Sequence, residues 1–260
     1  MLGLYVSVPI ACFRKGLARE YLETEPIPPP ATCYGFLLSL VGETQRQRHI
    51  GVSVCPVLIN RPEQSVVLRT VWRCKDRNYW VDPNGKCHVV PPTKKTRDAF
   101  KKWVRSQGWP EPEFVIGSGS GTNARPDFQQ LLSPVELILW LDSASESNDA
   151  PTLEARVADA LDRHRRASVH RFGGLSLGES THLVDEVSLL SDRLRERFKE
   201  RSGLAFLRAD RGRLTLPVWV DHVGSAGTRY VIGDLIEVSS VLEPPPAPQM
   251  ARIDPDAVQE

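Results

Sequence analysis

The chain has 260 residues, a formal net charge of +1, 41% hydrophobic residues and 25% charged residues. These values are ordinary for a folded globular protein and exclude a fibre, a membrane protein or a disordered chain. The apolar run FLLSLV is too short to cross a bilayer, and no signal peptide is recognisable, so a cytoplasmic protein without membrane contact is expected. The near-zero net charge predicts no polyanionic partner, but the basic residues are clustered along the chain.

The first elements follow the order strand, helix and strand. Residues 2–10 alternate in polarity and are β-branched, which predicts a strand that enters the core. Consecutive prolines at 28–30 stiffen an extended approach to residues 31–43, which are apolar on nearly every side. That pattern predicts a deeply packed helix, with Gly42 as its stop.

An insertion is expected in the middle of the chain. Two strand patterns at 49–60 and 65–74 lead into a polar segment at about 75–128 that is rich in Gly, Pro and Lys. Because long irregular insertions in compact domains are usually functional or mobile, we interpret this segment as a projecting hairpin or arm.

The second half of the chain repeats the order of the first. Residues 133–142 predict a buried strand, residues 152–164 a helix capped by Thr152, and residues 182–190 a further strand. Two β-α-β halves of this kind make an α+β, ferredoxin-like core over residues 1–190, with both helices on one face of an antiparallel sheet. The same sheet is the platform of the RNA recognition motif, which makes RNA a reasonable partner.

The C-terminal part is expected to add to this core. Residues 191–242 predict a short charged helix and a β-hairpin whose strands are joined through Gly-Ser-Ala-Gly. Residues 243–260 show no periodicity, so we predict a disordered tail.

No metal or cofactor site is expected. The five cysteines have wide spacing without a C-x-x-C pair, which favours buried free thiols over disulfides or zinc ligands. Asp127, Asp142, Asp221 and Asp234 are isolated and form no paired spacing for a metal. The cysteines are Cys12, Cys33, Cys55, Cys74 and Cys87.

The glycine-rich segment RFGGLSLGES carries the most chemical information. Its three glycines remove side chains over a short span, so that backbone amides can point outward and approach a polyanion. One arginine adds charge and two serines add hydroxyl groups, whereas a tight turn is the alternative interpretation. The NTPase phosphate loop and the dinucleotide fingerprint are both absent. The candidate residues are Arg171, Phe172, Gly173, Gly174, Leu175, Ser176, Leu177, Gly178 and Ser180.

This segment resembles the glycine-rich loop of the RAMP superfamily of CRISPR-associated proteins. VPIACFR at 8–14, followed by ETEPIPPPATCYGFLLSLVGE at 23–43, resembles the N-terminal signature of the Cas five (Cas5) family. In that signature a strand ends in a Phe-Arg pair, and a proline-rich approach leads into a Tyr-Gly-x-Leu helix. ARPDFQQLL at 124–132 is similar to a further family segment. The chain resembles most the subgroup named after the myxobacterial developmental protein DevS.

The resemblance implies a subunit of Cascade, the effector complex of type I CRISPR systems, that holds the 5′ handle of CRISPR RNA. Arg14 and the loop at 171–180 would contact the handle, and the insertion would form a thumb against the backbone filament. On charge alone, we place Lys94, Lys95 and Arg97 near RNA phosphates. The implied partners are CRISPR RNA, the backbone, large and small subunits, and target DNA only indirectly, since base pairing reads the sequence in such complexes.

Two other functions stay open. One branch of the family cuts precursor RNA without metal, using a tyrosine, a lysine and a histidine. Tyr79, His88, Lys94 and Lys95 lie in the insertion, where they can in principle converge on RNA. Because no Lys-His pair stands adjacent at the expected place, we predict no catalytic residues. The second alternative is a free-standing RNA-binding regulator.

Stacking on RNA bases would need exposed aromatic side chains. Phe13 and Tyr21 are the candidates near the Phe-Arg pair. Aromatic residues beside a strand end usually pack inward, so both are expected in the core.

Overall fold

The computed structural model describes residues 1–16, 21–72, 79–91, 93–112, 124–146, 151–166, 169–171, 173–221 and 227–256. The strands in these ranges are β1 (Leu2–Val8), β2 (Tyr21–Leu22), β3 (Ser53–Leu58), β4 (Glu63–Trp72), β5 (Tyr79–Val81), β6 (Cys87–Val89), β7 (Ala124–Ser133), β8 (Val135–Asp142), β9 (Glu186–Leu189), β10 (Gly203–Arg208), β11 (Leu214–Trp219), β12 (Arg229–Val238) and β13 (Ala251–Arg252). The α-helices are α1 (Pro30–Leu40), α2 (Lys94–Ser106), α3 (Leu153–Leu161) and α4 (Asp192–Arg197).

An eight-stranded sheet organises the larger of two compact units, which comprises Met1–Val67 and Phe128–Glu260. Its strand order is β11-β12-β10-β3-β8-β1-β9, and β13 also pairs with β3. The pairings within this sheet are antiparallel, with Leu4 opposite Leu139 at the centre of β1 and β8. The α+β class with an antiparallel sheet, predicted from the sequence, is therefore confirmed.

Helices α1 and α3 cover one face of this sheet. The predicted buried helix is confirmed as α1, which begins at Pro30, a residue whose fixed φ suits the first helical position. Leu37 of α1 and Val157 of α3 join one core cluster with Leu139 of β8. Full burial of a leucine side chain contributes about 1.5–3 kcal/mol. The Thr152 hydroxyl accepts a hydrogen bond from the Ala155 amide and begins α3 as predicted.

The opposite face is covered by α4 and the C-terminal segment. The ring of Phe198, just beyond α4, lies 5.6 Å from the ring of Tyr5 on β1. Leu194, Val241 and Met250 complete this second cluster of buried side chains. Both faces of the central strands are therefore covered, which explains why the sequence of β8 is apolar at almost every position.

The chain beyond residue 191 continues the main sheet. The predicted hairpin is confirmed as β11 and β12, and β12 in turn pairs with β10. The predicted disordered tail at 243–260 is wrong for residues 250–253, because Ala251 pairs with Val54 and the side chains of Met250 and Ile253 are buried. A two-residue strand with flanking anchors is too short to leave a periodic pattern in the sequence.

Three of the cysteines are described with their side chains. Cys12, Cys33 and Cys55 are buried free thiols, as predicted. Burial raises the pKa of all three thiols, and that of Cys55 to about 12. Cys74 and the side chain of Cys87 lie outside the described part of the chain.

The smaller compact unit comprises Leu68–Asp127 and contains its own core. Strands β5 and β6 pair as an antiparallel hairpin, and α2 follows it. Aromatic rings from both elements pack together within about 5 to 6 Å of one another: Trp80, His88, Phe100, Trp103 and Trp109. The insertion predicted at about 75–128 falls mostly within this unit.

Candidate nucleic-acid interface

The glycine-rich segment forms the first arm of a small hairpin. The Val184 amide donates to the Leu175 carbonyl at 2.9 Å, and the Leu177 amide donates to the His182 carbonyl at 3.2 Å. Ser176 and Leu183 face each other as an isolated antiparallel bridge. The His182 amide bonds the Glu179 carbonyl at 2.9 Å and closes the turn. These bonds fix residues 175–184, so this part of the loop is a rigid element.

One end of the hairpin is fixed against the strand-end segment that carries Arg14. Gly178 has a φ of +100°, and an added Cβ would lie 2.7 Å from the Cys12 carbonyl oxygen. The Cys12 amide donates to His182 Nδ1 at 3.1 Å. Only glycine permits this approach of the two backbones. The loop and the segment that carries Arg14, predicted separately from the sequence, are therefore neighbours in the fold.

The entry to the loop is fixed in a similar way. Gly42, just beyond α1, has a φ of +68°, and an added Cβ would overlap the His170 carbonyl oxygen. His170 directly precedes Arg171. Gly42 is therefore more than a helix stop, because it allows the chain that enters the loop to pack on the end of α1.

The apex of the loop is open. Gly173 has a φ of +78°, and no atom lies within 4 Å of an added Cβ. Gly173, Gly174 and Gly178 are exposed, and none of their amides bonds another described residue. Arg171 and Ser180 are also exposed, whereas Phe172 lies outside the described residues. The open apex thus presents the backbone of Gly173 beside the exposed Arg171 side chain, which suits an anion.

Both charge signs occur around this surface. Burial is the main cause of the raised pKa of the Cys12 thiol. The charge of Glu179 raises this pKa further, whereas the charge of Arg14 lowers it. These opposite effects show that Glu179 and Arg14 both lie near Cys12. Arg163 and Arg166 are exposed in the turn that leads from α3 toward the loop. The exposed arginines at 163, 166 and 171 put positive charge at the entry to the loop, which favours a polyanionic ligand.

Two of the candidate contact residues, Leu177 and Phe13, have buried side chains. The Leu177 side chain is 1% exposed and anchors the loop, so its contact with RNA, which stays a prediction, can involve only its backbone. Leu175 also packs against the core. Phe13 is 1% exposed and is a core residue, as expected. Tyr21 is 39% exposed, contrary to expectation, and its ring lies 6.4 Å from that of Phe128.

The predicted basic residues of the insertion lie on α2, in the smaller unit. Lys94 and Lys95 are exposed in the first turn, whose start is capped by the Thr93 hydroxyl. No acidic residue lies in that turn. Two lysines beside the positive end of the helix dipole are electrostatically unfavourable without an anion. Arg97 is half-buried on the next turn.

The candidate catalytic histidine is engaged within the smaller unit. His88 Nε2 lies 2.8 Å from Asp82 Oδ2, and the same carboxylate accepts hydrogen bonds from the amides of Asn84 and Lys86. Hydrogen bonding to His88 is the main reason why the pKa of Asp82 is lowered. His88 therefore orients the β5–β6 turn. The side chain of Tyr79 lies outside the described residues.

Neither a metal-binding cluster nor a membrane-spanning helix is found among the described residues. No group of three or more His, Cys, Asp or Glu side chains is arranged to hold a metal ion there. Among the helices of that same part of the chain, none has the length and apolarity needed to span a bilayer.

The fold and the sequence both relate the chain to known proteins. A chain in a solved structure described as a CRISPR RNA-guided surveillance complex is 13% identical, with a TM-score of 0.50 over 92% of both chains. Another, described as a Cas protein, is 12% identical, with a TM-score of 0.42 over 98% of this chain and 96% of that one. No protein-family model matches the sequence.

A curated relative is more similar in sequence. CRISPR-associated protein Cas5 of Myxococcus xanthus (strain DK1622) is 43% identical over 244 residues, which is 94% of each chain. This identity places the protein among the CRISPR-associated proteins. Within that class the chain belongs to the Cas5 family, as the N-terminal motifs predict.

Proposed function

We propose that this protein is a non-catalytic Cascade subunit that binds the 5′ handle of CRISPR RNA and caps the backbone filament for RNA-guided DNA recognition. The observation that supports this most strongly is the loop geometry at 171–180. Its two ends are fixed through Gly42 and Gly178, while its apex at Gly173 is open. Because such a loop is already ordered, little conformational entropy is lost when its amides bind a phosphate.

The chemistry of the loop suits a sugar-phosphate backbone. Hydrogen bonds between amides and a charged phosphate are each worth about 1.5–3 kcal/mol, so even one or two of them contribute substantially to the affinity for one short segment. Arg14 and Arg171 add charge at either side. A single-stranded handle is the favoured form of RNA, because its unstacked bases can stack on arginine or aromatic side chains while the loop amides bind its phosphates.

The strand order supports the finer description of the fold. β3-β8-β1-β9 is the order of a ferredoxin-like sheet of the RAMP type, built from two β-α-β halves. We assign the smaller unit, Leu68–Asp127, as the thumb that contacts the first backbone subunit. Lys94, Lys95 and Arg97 of that unit would lie near RNA phosphates. The large and small subunits are further proposed partners, target DNA is contacted indirectly, and the complex works in the cytoplasm.

The non-catalytic assignment rests on the lack of an adjacent Lys-His pair in the sequence, where His88 is the isolated histidine of the insertion. Its Nε2 bonds Asp82, and four aromatic rings surround it. A general base for RNA cleavage must reach the 2′-hydroxyl of its substrate. Incubation with labelled precursor repeat RNA in chelator is expected to give no specific product. A defined cleavage product would establish the endoribonuclease alternative.

RNA affinity of matched glycine variants tests the binding function. Gly173→Glu introduces a carboxylate at the open apex, and we expect at least a tenfold loss of affinity for RNA that carries the handle sequence. Gly85→Glu is the control, since Gly85 has a φ of +82° and also meets no atom within 4 Å of an added Cβ. Equal affinities of the two variants would contradict the proposed role of the loop.

A further inference from the structure

A groove beside the loop entry has no role in the function proposed so far. It lies between α1 and the end of β11, within the larger unit, and has a volume of about 400 Å³. Thr32, Gly35 and Ser39 line it on the α1 side, while Arg46 and Trp219 line the other side. No atom lies within 4 Å of a Cβ added at Gly35, so the groove is open at its centre.

The wall opposite α1 is a stack of flat groups. The Arg46 guanidinium carbon lies 4.2 Å from the centroid of the Trp219 ring. Arg46 Nη2 donates to the Val220 carbonyl at 2.6 Å, and the Tyr34 hydroxyl donates to the Arg46 carbonyl at 2.6 Å. The first bond and the contact with Trp219 hold the guanidinium, and the second fixes the backbone that carries it. Trp219 is only 8% exposed. A ligand in the groove would therefore contact the Arg46 guanidinium, on the side away from Trp219.

The groove and the loop share a residue. Gly42 lines the groove and also packs against the His170 carbonyl, one residue before Arg171. A strand whose phosphates lie along the loop therefore passes close to the groove. The two surfaces lie within the same compact unit.

We propose that this groove receives one unpaired nucleobase of the RNA strand whose phosphates lie on the loop; this inference rests on the proposed function. Planar guanidinium groups stack on nucleobases, and here the plane is already fixed. The hydroxyls of Thr32 and Ser39 can accept or donate hydrogen bonds at the edge of a base. Glu43 also lines the groove, but its carboxylate is paired with Arg48 and Arg156. A guanidinium beside a phosphate-binding loop favours a nucleotide over an apolar side chain of a protein partner.

Two variants of Gly35 test the proposal with matched geometry. Gly35→Phe fills the open groove, whereas Gly35→Ala leaves it open. The Cβ atom that both variants add meets no other atom within 4 Å. We expect Gly35→Phe to weaken binding of handle RNA by about 5- to 150-fold, the range for loss of one stacked base. Gly35→Ala is expected to bind within twofold of the wild type.

A set of handle RNAs with single abasic positions gives an independent readout. The wild type should discriminate against one abasic position, and Gly35→Phe should lose that discrimination because the base is already excluded. Arg46→Lys, which keeps the charge but removes the plane, should lose it as well. Wild-type binding that ignores every abasic position, or unchanged RNA affinity of Gly35→Phe, overturns the groove assignment.

The outcomes separate the groove from the loop. If Gly173→Glu weakens RNA binding while Gly35→Phe does not, the loop function stands and the groove assignment fails. If Gly173→Glu has no effect on RNA binding, the proposed function fails and the groove assignment with it. If Gly35→Phe leaves RNA affinity intact but abolishes co-purification with the other complex subunits, the groove is a protein contact and the base assignment is wrong.

Discussion

The backbone of Gly178 lies against the carbonyl oxygen of Cys12, and a Cβ atom added to Gly178 would lie only 2.7 Å from that oxygen. Two segments that are far apart in sequence thereby come into direct contact, since Gly178 and Cys12 are separated by 178 − 12 = 166 positions. One belongs to the glycine-rich loop, and the other leads directly to Phe13 and Arg14. The contact explains how a short loop can hold a defined shape although its apex is open.

Gly178→Ala should release the hairpin from the Cys12 segment. Both the φ of +100° and the short distance to the Cys12 oxygen are unfavourable for alanine. Backbone strain of this kind costs on the order of 1–3 kcal/mol. We expect the amides of Leu177 and Val184 to exchange with solvent deuterons about 5- to 150-fold faster, and RNA affinity to fall.

Gly173→Ala is the control for that experiment. It has a comparable φ of +78° but no neighbouring atom within 4 Å. Exchange at Leu177 and Val184 should change little. If both variants accelerate exchange equally, the Cys12 contact does not hold the hairpin.

His182 should matter through one ring nitrogen. Its Nδ1 accepts the Cys12 amide at 3.1 Å, so this nitrogen carries no proton while the bond exists. The Asn side chain places an oxygen on the same Cγ that carries Nδ1, and can replace it as acceptor. We expect His182→Asn to keep RNA affinity within about twofold, whereas His182→Leu loses a hydrogen bond worth about 0.5–1.5 kcal/mol. Equal binding by the two variants would show that this acceptor is dispensable.

Two glycines at α1 should respond to alanine in opposite directions. Gly35 is an exposed helical residue with space for a Cβ, so Gly35→Ala should stabilise the protein by about 0.5–1 kcal/mol. Gly42→Ala meets both a φ of +68° and the His170 carbonyl, and should destabilise it by about 1–3 kcal/mol. Thermal unfolding measures both changes. A stabilised Gly42→Ala variant would contradict the packing of the loop entry on α1.

Glu43, next to Gly42, predicts a pH-dependent contribution to stability. Burial alone would raise the pKa of Glu43, but the Gln45 amide and the guanidinium groups of Arg156 and Arg48 outweigh it and lower the pKa to about 2. Arg156 Nη1 lies 2.5 Å from the carboxylate and Arg48 Nη1 lies 3.1 Å from it. Because the folded pKa is depressed, this stabilisation is complete above the unfolded pKa of about 4.5 and is lost as the pH falls toward 2.

Glu43→Gln provides the measurement. At neutral pH it should lower the free energy of unfolding by about 1–3 kcal/mol, since Arg156 loses a charged partner. In denaturant titrations, the difference from the wild type should shrink between pH 4.5 and pH 2. A difference that is constant over this range would rule out the carboxylate charge as its source.

The sequence was sufficient for elements with strong local signals. The apolar helix after Pro30, the buried strand of 133–142 and the Thr152 cap each depend on neighbours in the chain, and each is confirmed. The pairing of Ala251 with Val54 was missed, because it depends on a contact between segments that are distant in sequence.

The same distinction applies to the site. The loop glycines could be identified as a candidate anion-binding site from the sequence, since closely spaced glycines beside an arginine allow the backbone to approach a ligand. Their different roles were not, because Gly173 and Gly178 differ only in what surrounds them. Leu177 as an anchor and His182 as an acceptor are tertiary facts. For Leu177 the only available signal was an apolar side chain within an otherwise polar turn.

Photocrosslinking within the assembled complex tests the central claim most directly. Handle RNA that carries 4-thiouridine at successive positions would be crosslinked to the protein, and the attached peptides identified by mass spectrometry. We predict crosslinks to the peptides that contain Arg14 and residues 171–180. Crosslinks that map elsewhere on the chain, with none to either peptide, would show that the RNA is held by another surface.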